Sequence, residues 1–404
     1  MRLLYNASIY FYQVVIWIAH FFNEKAEFFI KGRKNQWNKI QYLETKEKVC
    51  WFHCASLGEF DQGIPVMNEL KRKFPESKIV VTFFSPSGME HYHKRNHCAD
   101  YIYYLPIDTP INARKFLNRI NPTEIYFIKY EFWLNYIFEA KKRNIPLYSI
   151  SCILRPNQIY FKSYGTYFKK GLQAFSSFFV QNEETKQLLN SININNVNVT
   201  GDTRFDKVIE NKRLVQQDLI IESFLNNEKA IILGSSWPVE EELFYEFYAS
   251  QQATLKVIIA PHDISENHLS SIEKLFQNQT IRYSNFSNQK EKNILIIDCI
   301  GKLANAYNYG EIAFIGGGFT GKLHNTLEPV VFGLPVVFGP KHSKFPEAKI
   351  FIEKGIGFEI NNSNELKDVM EEINKNIQHL KTICSNTITK SAGAANKIIE
   401  IIYN

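Results

Sequence analysis

The sequence predicts an α/β protein of two doubly wound domains, each on a parallel sheet, facing one another across a cleft and preceded by an apolar helix. Three observations lead there. At 404 residues the chain is long enough for two separate cores. From Val49 onward short apolar runs alternate with amphipathic segments, the pattern of parallel strands joined by crossover helices. Between Gly316 and Pro340, GGGFTGKLHNTLEPVVFGLPVVFGP sets a glycine turn, a helix start, a carboxylate and a further strand close together.

The run from Leu3 to Phe22, LLYNASIYFYQVVIWIAHFF, holds no Asp, Glu, Lys or Arg and has about the length that crosses a bilayer core. We expect a membrane anchor over residues 1–24. Asn6, Ser8, Gln13 and His20 interrupt the run, so a helix lying in the inner leaflet and one buried in the first domain compete with a spanning segment. Lys25, Lys31, Arg33, Lys34 and Lys39 outnumber Glu24 and Glu27 behind it, which leaves the bulk of the chain on the cytoplasmic side.

The runs VCWFHCAS, KIVVTFFS, YIYYLP, EIYFI, PLYSIS, FSSFFV and NVNVT read as strands, with helices from Gly58 to Phe74 and from Pro86. They define a first domain over residues 45–206, and a polar, helical linker follows over 207–227. KAIILGSS, KVIIAP, NILIID, EIAFIG, PVVFG and GFEI define a second domain over 228–376. Residues 377–404 read as a helix packing back on the first domain.

A formal charge of +6 suits anionic surfaces or substrates and gives no reason to invoke nucleic acid. Six cysteines without a CxxC pair fit a reducing compartment. His91, His93, His97 and Cys98 form the one metal-like cluster, but only His93 and His97 share a helix face, so a polar helix end is preferred and no metal or cofactor is expected. In IYFKSYGTYF, ending at Phe168, rings and lysines mix as on a surface touching lipid headgroups or on a helix packed against its own domain.

In the glycine segment, Gly316, Gly318 and Gly321 satisfy GxGxxG, and Gly321-Lys322 approaches a P-loop. Leu323 stands where a magnesium-binding hydroxyl is needed, and the opening βαβ context of a dinucleotide site is absent. A tight strand-to-helix turn is the plainest alternative. The layout suits a nucleotide-sugar site, with Gly317 and Gly318 letting backbone approach a ligand, a helix start near His324 and Asn325, and Glu328 accepting ribose hydroxyls.

Strand ends supply the remaining candidates. Ser56, Gly58 and Glu59 close the first strand; an acid in a first helical turn either caps or works, and Glu59 is placed to act as a general base. Ser87 follows the second strand, Lys129 and Glu131 follow EIYFI, Arg155 follows SISCIL, and Arg204 follows TGDT. Ser235 and Ser236 end IILGSS, and His262 ends VIIAP. In open parallel sheets these carboxyl ends are where ligands bind.

These motifs resemble the 3-deoxy-D-manno-octulosonic acid (Kdo) transferases. SLGE at Ser56–Glu59 and HNTLEPVVFGLPVVFGP are the specific matches, supported by TFFSPSG, YEFW, TGDTRFD and GSSWPVEEE. The resemblance implies a GT-B enzyme of two Rossmann-like domains. It would invert at the anomeric carbon, moving Kdo from CMP-Kdo to the lipid A precursor at the cytoplasmic face of the inner membrane, without a donor-bound metal. Glu59 then matches the base; Ser235, Ser236, His262, Gly317, Gly318, His324, Asn325 and Glu328 match the donor side, and Ser56, Gly58, Ser87, Glu131, Arg155 and Arg204 the acceptor side. Lys129 stands where the family carries an acid, and His262-Asp263 replaces its usual P-R-H. A UDP-sugar glycosyltransferase or epimerase, or an inactive sugar-binding membrane protein, is the alternative.

Overall fold

The structure, a computed structural model, describes residues 1–251, 255–277, 279–286 and 292–404. It divides into two compact units, residues 1–207 with 392–404, and residues 208–391.

The first unit carries seven parallel strands, β1 (Val49–Cys54), β2 (Lys78–Phe83), β3 (Tyr101–Tyr104), β4 (Glu124–Ile128), β5 (Leu147–Cys152), β6 (Ser177–Val180) and β7 (Val197–Val199), in the order β3-β2-β1-β4-β5-β6-β7. Side chains alternate between two buried faces. Trp51 and Phe127 join a core with Phe116 and Phe178, while Phe52 and Tyr126 stack at 4.4 Å on the opposite face with Phe60, Ile398 and Ile399. The strand order reverses between β1 and β4, so their carboxyl ends flank a topological switch point.

The second unit repeats the plan with β8 (Ala230–Ser236), β9 (Val257–Pro261), β10 (Thr280–Arg282), β11 (Ile294–Ile296), β12 (Gly310–Ile315), β13 (Val336–Phe338) and β14 (Gly357–Glu359). Its order is β10-β11-β9-β8-β12-β13-β14, with the switch between β8 and β12. Every paired strand in both sheets runs parallel. β10 is a strand that hydropathy does not announce, because Thr280 and Arg282 flank a single buried Ile281.

The tail differs from the single helix expected over 377–404. Helix Ser363–Ser391 lies in the second unit, Gly393 breaks the chain at φ 93°, and helix Ala394–Tyr403 belongs to the first unit. There the Gly393 N–H donates to Asp206 at 2.6 Å, and Tyr403 Oη donates to Glu124. The segment expected as a linker holds helices Arg204–Leu214 and Leu219–Leu225, with residues 208–227 inside the second unit.

At the amino terminus, helix Arg2–Ala19 docks on the first unit through one stripe of Tyr5, Asn6, Ile9, Tyr12 and Ile16. Tyr5 Oη donates to Asp108 at 2.6 Å, and Asn6 accepts from Asn135 Nδ2 at 2.9 Å. Asp108 also accepts the first N–H groups of helix Leu134–Lys142, those of Asn135 and Tyr136, each at 3.1 Å. Burial pushes its carboxyl up to about 6 against these donors. No helix among the described residues is long and apolar enough to cross a membrane. The aromatic segment near Tyr160 mostly turns inward: Tyr167 and Phe168 meet Tyr5 at 5.9 and 5.8 Å, and Tyr164 remains exposed.

Because Tyr5 is the polar pin of that helix, Tyr5→Phe should cost about 1–2 kcal/mol of helix docking. Hydrogen exchange over residues 2–19 should then speed up by roughly tenfold, while strands β1 and β4 keep their protection; unchanged exchange in the helix would show that packing alone holds it.

Candidate functional site

In the first unit, β1 runs out at Cys54 and Ser56 adopts an extended conformation (φ −138°, ψ 177°) before helix Leu57–Lys73 begins. The Ser56 hydroxyl donates to the half-buried Glu59 carboxylate in the first turn instead of capping a backbone amide. The other side of the switch point is set by Lys129. Its φ of 62°, unusual for a residue with a side chain, turns the chain sharply after β4 while its N–H bonds to Ile150 O at 2.8 Å.

That turn delivers Glu131 and Trp133 to a buried histidine. Trp133 Nε1 lies 3.0 Å from His53 Nε2, and an indole N–H only donates, so Nε2 accepts and the ring proton sits on Nδ1. His53 Nδ1 then donates to Thr82 Oγ1 at 3.0 Å, which also accepts from Trp51 Nε1 at 2.8 Å. Glu131 Oε2 lies 3.5 Å from His53 Nε2 and has no hydrogen-bond partner.

The other first-unit residues divide. Ser87 shares a hydrogen bond with Ser85 at 2.9 Å, and Gly58 is exposed. Arg155 is exposed, its backbone N–H held by Gln158 at 2.9 Å. Arg204 is committed to the buried Asp202 at 2.8 Å, a charge whose partners also include Gln62 at 3.1 Å; Arg204 and these donors hold the Asp202 carboxyl low against burial.

In the second unit, Ser235 (φ 52°) ends β8 in a left-handed conformation. Ser236 Oγ donates to buried Glu241 at 2.7 Å, and Glu241 also holds His268 Nε2 at 2.9 Å. Its buried neighbour Glu240 accepts the N–H of Gly317 at 2.9 Å and of Trp237 at 3.1 Å. The glycine loop therefore donates one of its amides to a carboxylate of its own domain. Its glycines answer to packing: a Cβ on Gly316 would meet Ser235 O at 2.0 Å, and one on Gly318 would meet Gly339 N at 2.4 Å.

Beside this loop a ring stack forms. Trp237 and His262 lie 4.4 Å apart at 21°, and His262 and His324 lie 4.7 Å apart. Burial, with a smaller contribution from His262, lowers His324 to about 4, so its imidazole is neutral at pH 7. Trp237 Nε1 and His324 Nε2 are buried without a hydrogen-bond partner. Asn325 Oδ1 accepts the Leu327 N–H at 3.1 Å and Asn325 Nδ2 donates to Glu328 at 3.1 Å. Glu328 occupies the first turn of a five-residue helix, Leu327–Val331. Among the described residues no group of three or more His, Cys, Asp or Glu is placed to hold a metal ion. His97 instead accepts the Ala99 N–H at 3.2 Å. His53 and His268, which carry much of this geometry, escape sequence reasoning, and Trp237, Glu240 and Glu241 enter it only within the GSSWPVEEE match. For the glutamates the signal is the acid run after the strand-ending SSWP, where a helix begins.

Two seven-stranded parallel sheets with loops gathered at each switch point define a GT-B-like fold. UDP-GlcNAc 2-epimerase from Neisseria meningitidis matches with a TM-score of 0.65 and 16% identity, over 89% of this chain and 100% of that one. Another such protein, from Listeria monocytogenes, matches at 0.62 over 88% of this chain and 96% of its own. At such identities the likeness concerns fold alone. Residues 30–207 match the family model described as 3-Deoxy-D-manno-octulosonic-acid transferase (kdotransferase). Relatives named 3-deoxy-D-manno-octulosonic acid transferase include one from Aquifex aeolicus, 28% identical over 82% of this chain and 87% of its own. Another, from Rickettsia bellii, is 26% identical over 96% and 94%. The first unit thus carries the Kdo transferase domain, and relatives named for that activity match over most of the chain.

His324 gives a pH signature. Its folded pKa lies below its ordinary 6.5, so its contribution to stability is complete above that value and is lost as pH falls toward 4. Allowing for solvent at the exposed part of the ring, urea unfolding should show a loss of about 1–2 kcal/mol between pH 7.5 and 4.5 that His324→Gln lacks; parallel pH profiles for the two proteins would sink the assignment.

Proposed function

We propose that the chain moves Kdo from CMP-Kdo to a glucosamine hydroxyl of the lipid A precursor during lipopolysaccharide core synthesis, with Glu59 as general base. The observation that carries this, within a Kdo transferase, is the half-buried Glu59 carboxylate at the switch point of the first sheet, oriented by Ser56. Glu59 takes the acceptor hydroxyl proton as that oxygen bonds to the anomeric carbon. The bond from that carbon to the CMP phosphate breaks on the opposite face, inverting the centre, and CMP leaves with its electron pair. Glu131, free of a hydrogen bond at Oε2, is offered to an acceptor hydroxyl.

For the donor, Glu240 already holds the Gly317 amide, so we assign the departing phosphate to Trp237 Nε1, neutral His324 and the backbone around Asn325. Glu328 is assigned to the ribose. A monophosphate spreads less charge than a diphosphate, and N–H donors in a sheltered site can meet it. The reading invokes no metal and no cofactor.

The inner-membrane location draws support from the apolar outer face of the amino-terminal helix. In Arg2–Ala19 the polar Asn6 faces the protein, while Leu3 and Phe11, with Phe22 just beyond, are 84%, 70% and 88% exposed. We infer that the helix lies in the cytoplasmic leaflet interface, with nearby lysines meeting lipid headgroups.

Mass spectrometry of purified chain with CMP-Kdo and tetra-acylated lipid A precursor should show one or more added Kdo units. Glu59→Gln should lower kcat by about a hundredfold or more with CMP-Kdo affinity kept; equal loss of binding would remove the base role. The epimerase-like fold favours one other reading, a UDP-sugar enzyme, and thermal stabilisation by UDP and not CMP would select it. Donor binding without any product would select an inactive sugar-binding protein.

A further inference from the structure

Phe84, just beyond β2, forms a partition within the first unit. On one side its ring meets Trp133 at 4.5 Å, the residue that holds His53 beside Glu131. On the other it meets Phe29 at 5.3 Å and Tyr12 at 6.3 Å, both from the amino-terminal helices. A satellite core of Ile9, Phe29 and Ile107 binds these helices to Phe84 and Trp133. Tyr12 is close enough to Glu131 and Arg33 to feel both charges.

Beyond the partition lies a groove of about 680 Å³, a volume usual for ligand sites. Ile16, Phe29, Ile30, Trp37 and Ile107 line it with apolar surface, and Lys31 and Lys34 stand along it. Arg33 lies at its base. The guanidinium donates to the carbonyls of Phe84 at 2.7 Å and Leu105 at 3.2 Å and sits 3.6 Å over the Phe29 ring. No carboxylate pairs with it among the described residues, and although burial lowers it to about 10 it stays charged at neutral pH. Lys31 pairs with Glu27 at 2.6 Å, so Arg33 and Lys34 leave the groove with net positive charge.

We propose that this groove holds an acyl chain of the lipid acceptor, with an acceptor phosphate drawn to Lys34 and the field of Arg33. An apolar trough with a cationic border complements a hydrocarbon tail attached to an anionic head, and its Phe29 packs on Phe84, which in turn meets the Trp133 that holds His53 beside Glu131. The amino-terminal helices are then part of the acceptor site as well as a membrane contact. The inference rests on the lipid-acceptor reading above.

The test compares a tetra-acylated acceptor with its deacylated counterpart, using the full chain in detergent. Ile30→Trp, which fills the groove, should lower the ratio of kcat/KM for the acylated over the deacylated acceptor at least tenfold. Lys34→Glu, at an exposed position, should raise the acceptor KM several-fold while the CMP-Kdo KM holds. An equal loss on both acceptors, or no loss on either, overturns the proposal. A second readout needs no turnover: in a Trp17→Phe background, acceptor with brominated acyl chains should quench Trp37, and Ile30→Tyr, which fills the groove without adding an indole, should reduce that quenching. Quenching by brominated phospholipid with acceptor selectivity unchanged would give the groove to bulk lipid and overturn the acceptor assignment. Absence of product from wild type despite quenching would fault the transferase reading and leave the groove assignment standing.

Discussion

Everything functional in this chain depends on the geometry of parallel β-sheets. Parallel strands all end on one edge, and each needs a helical crossover to return, so loops and helix starts collect there by necessity. Where the crossovers change side, between β1 and β4 and again between β8 and β12, neighbouring loops part and leave room for a ligand. Glu59 with Glu131, and Trp237 with His324, occupy those two positions. A residue displaced by a single strand would sit among packed loops.

Each crevice is kept open by buried polar groups with fixed assignments. His53 illustrates the logic: Trp133 can only donate, which compels Nε2 to accept and sends the Nδ1 proton to Thr82. Thr82 thereby accepts two N–H groups, and the ring cannot rotate without orphaning one of them inside the core. Glu240 does the same in the second unit by tying the first turn after β8 to the glycine loop after β12. Both assignments cost desolvation, and both fix the distance between the loops that a substrate must touch.

The sheets were legible because period and length agree. VCWFHC is buried throughout and GEIAFI at every position but Glu311, as strands covered on both faces must be, and turn signals bound each one. β10 was not, since three residues with one buried side chain carry no period. The place of Glu59, at a helix start after a strand, was legible, whereas the glycine loop left two uses open. Its composition is equally suited to approaching a phosphate and to packing against Ser235 and Gly339, and only coordinates separate the two. Arg204 looks like a free cation until Asp202, two residues earlier, is seen to face it. His53, mid-strand, gave no signal because its role comes from partners 29 and 80 residues away.

In the amino-terminal helix, composition alone does not reveal which residues face the protein. Its apolar run with four polar interruptions looks like a poor membrane span. In the fold one interruption, Asn6, turns toward the protein beside Tyr5, where Asn135 and Asp108 satisfy both residues. A helix in a soluble environment would put its polar residues outward and bury Leu3, Phe11 and Trp17, since exposed apolar area costs about 25 cal/mol per Å². The opposite arrangement is stable only where the outer medium is itself apolar or another surface covers it. The buried contacts that hold the helix, through Tyr12, Phe84 and Trp133, run on through His53 to Glu131. The outer apolar face of the helix and the turn that carries Glu131 are thus joined by one continuous piece of packing within the first unit.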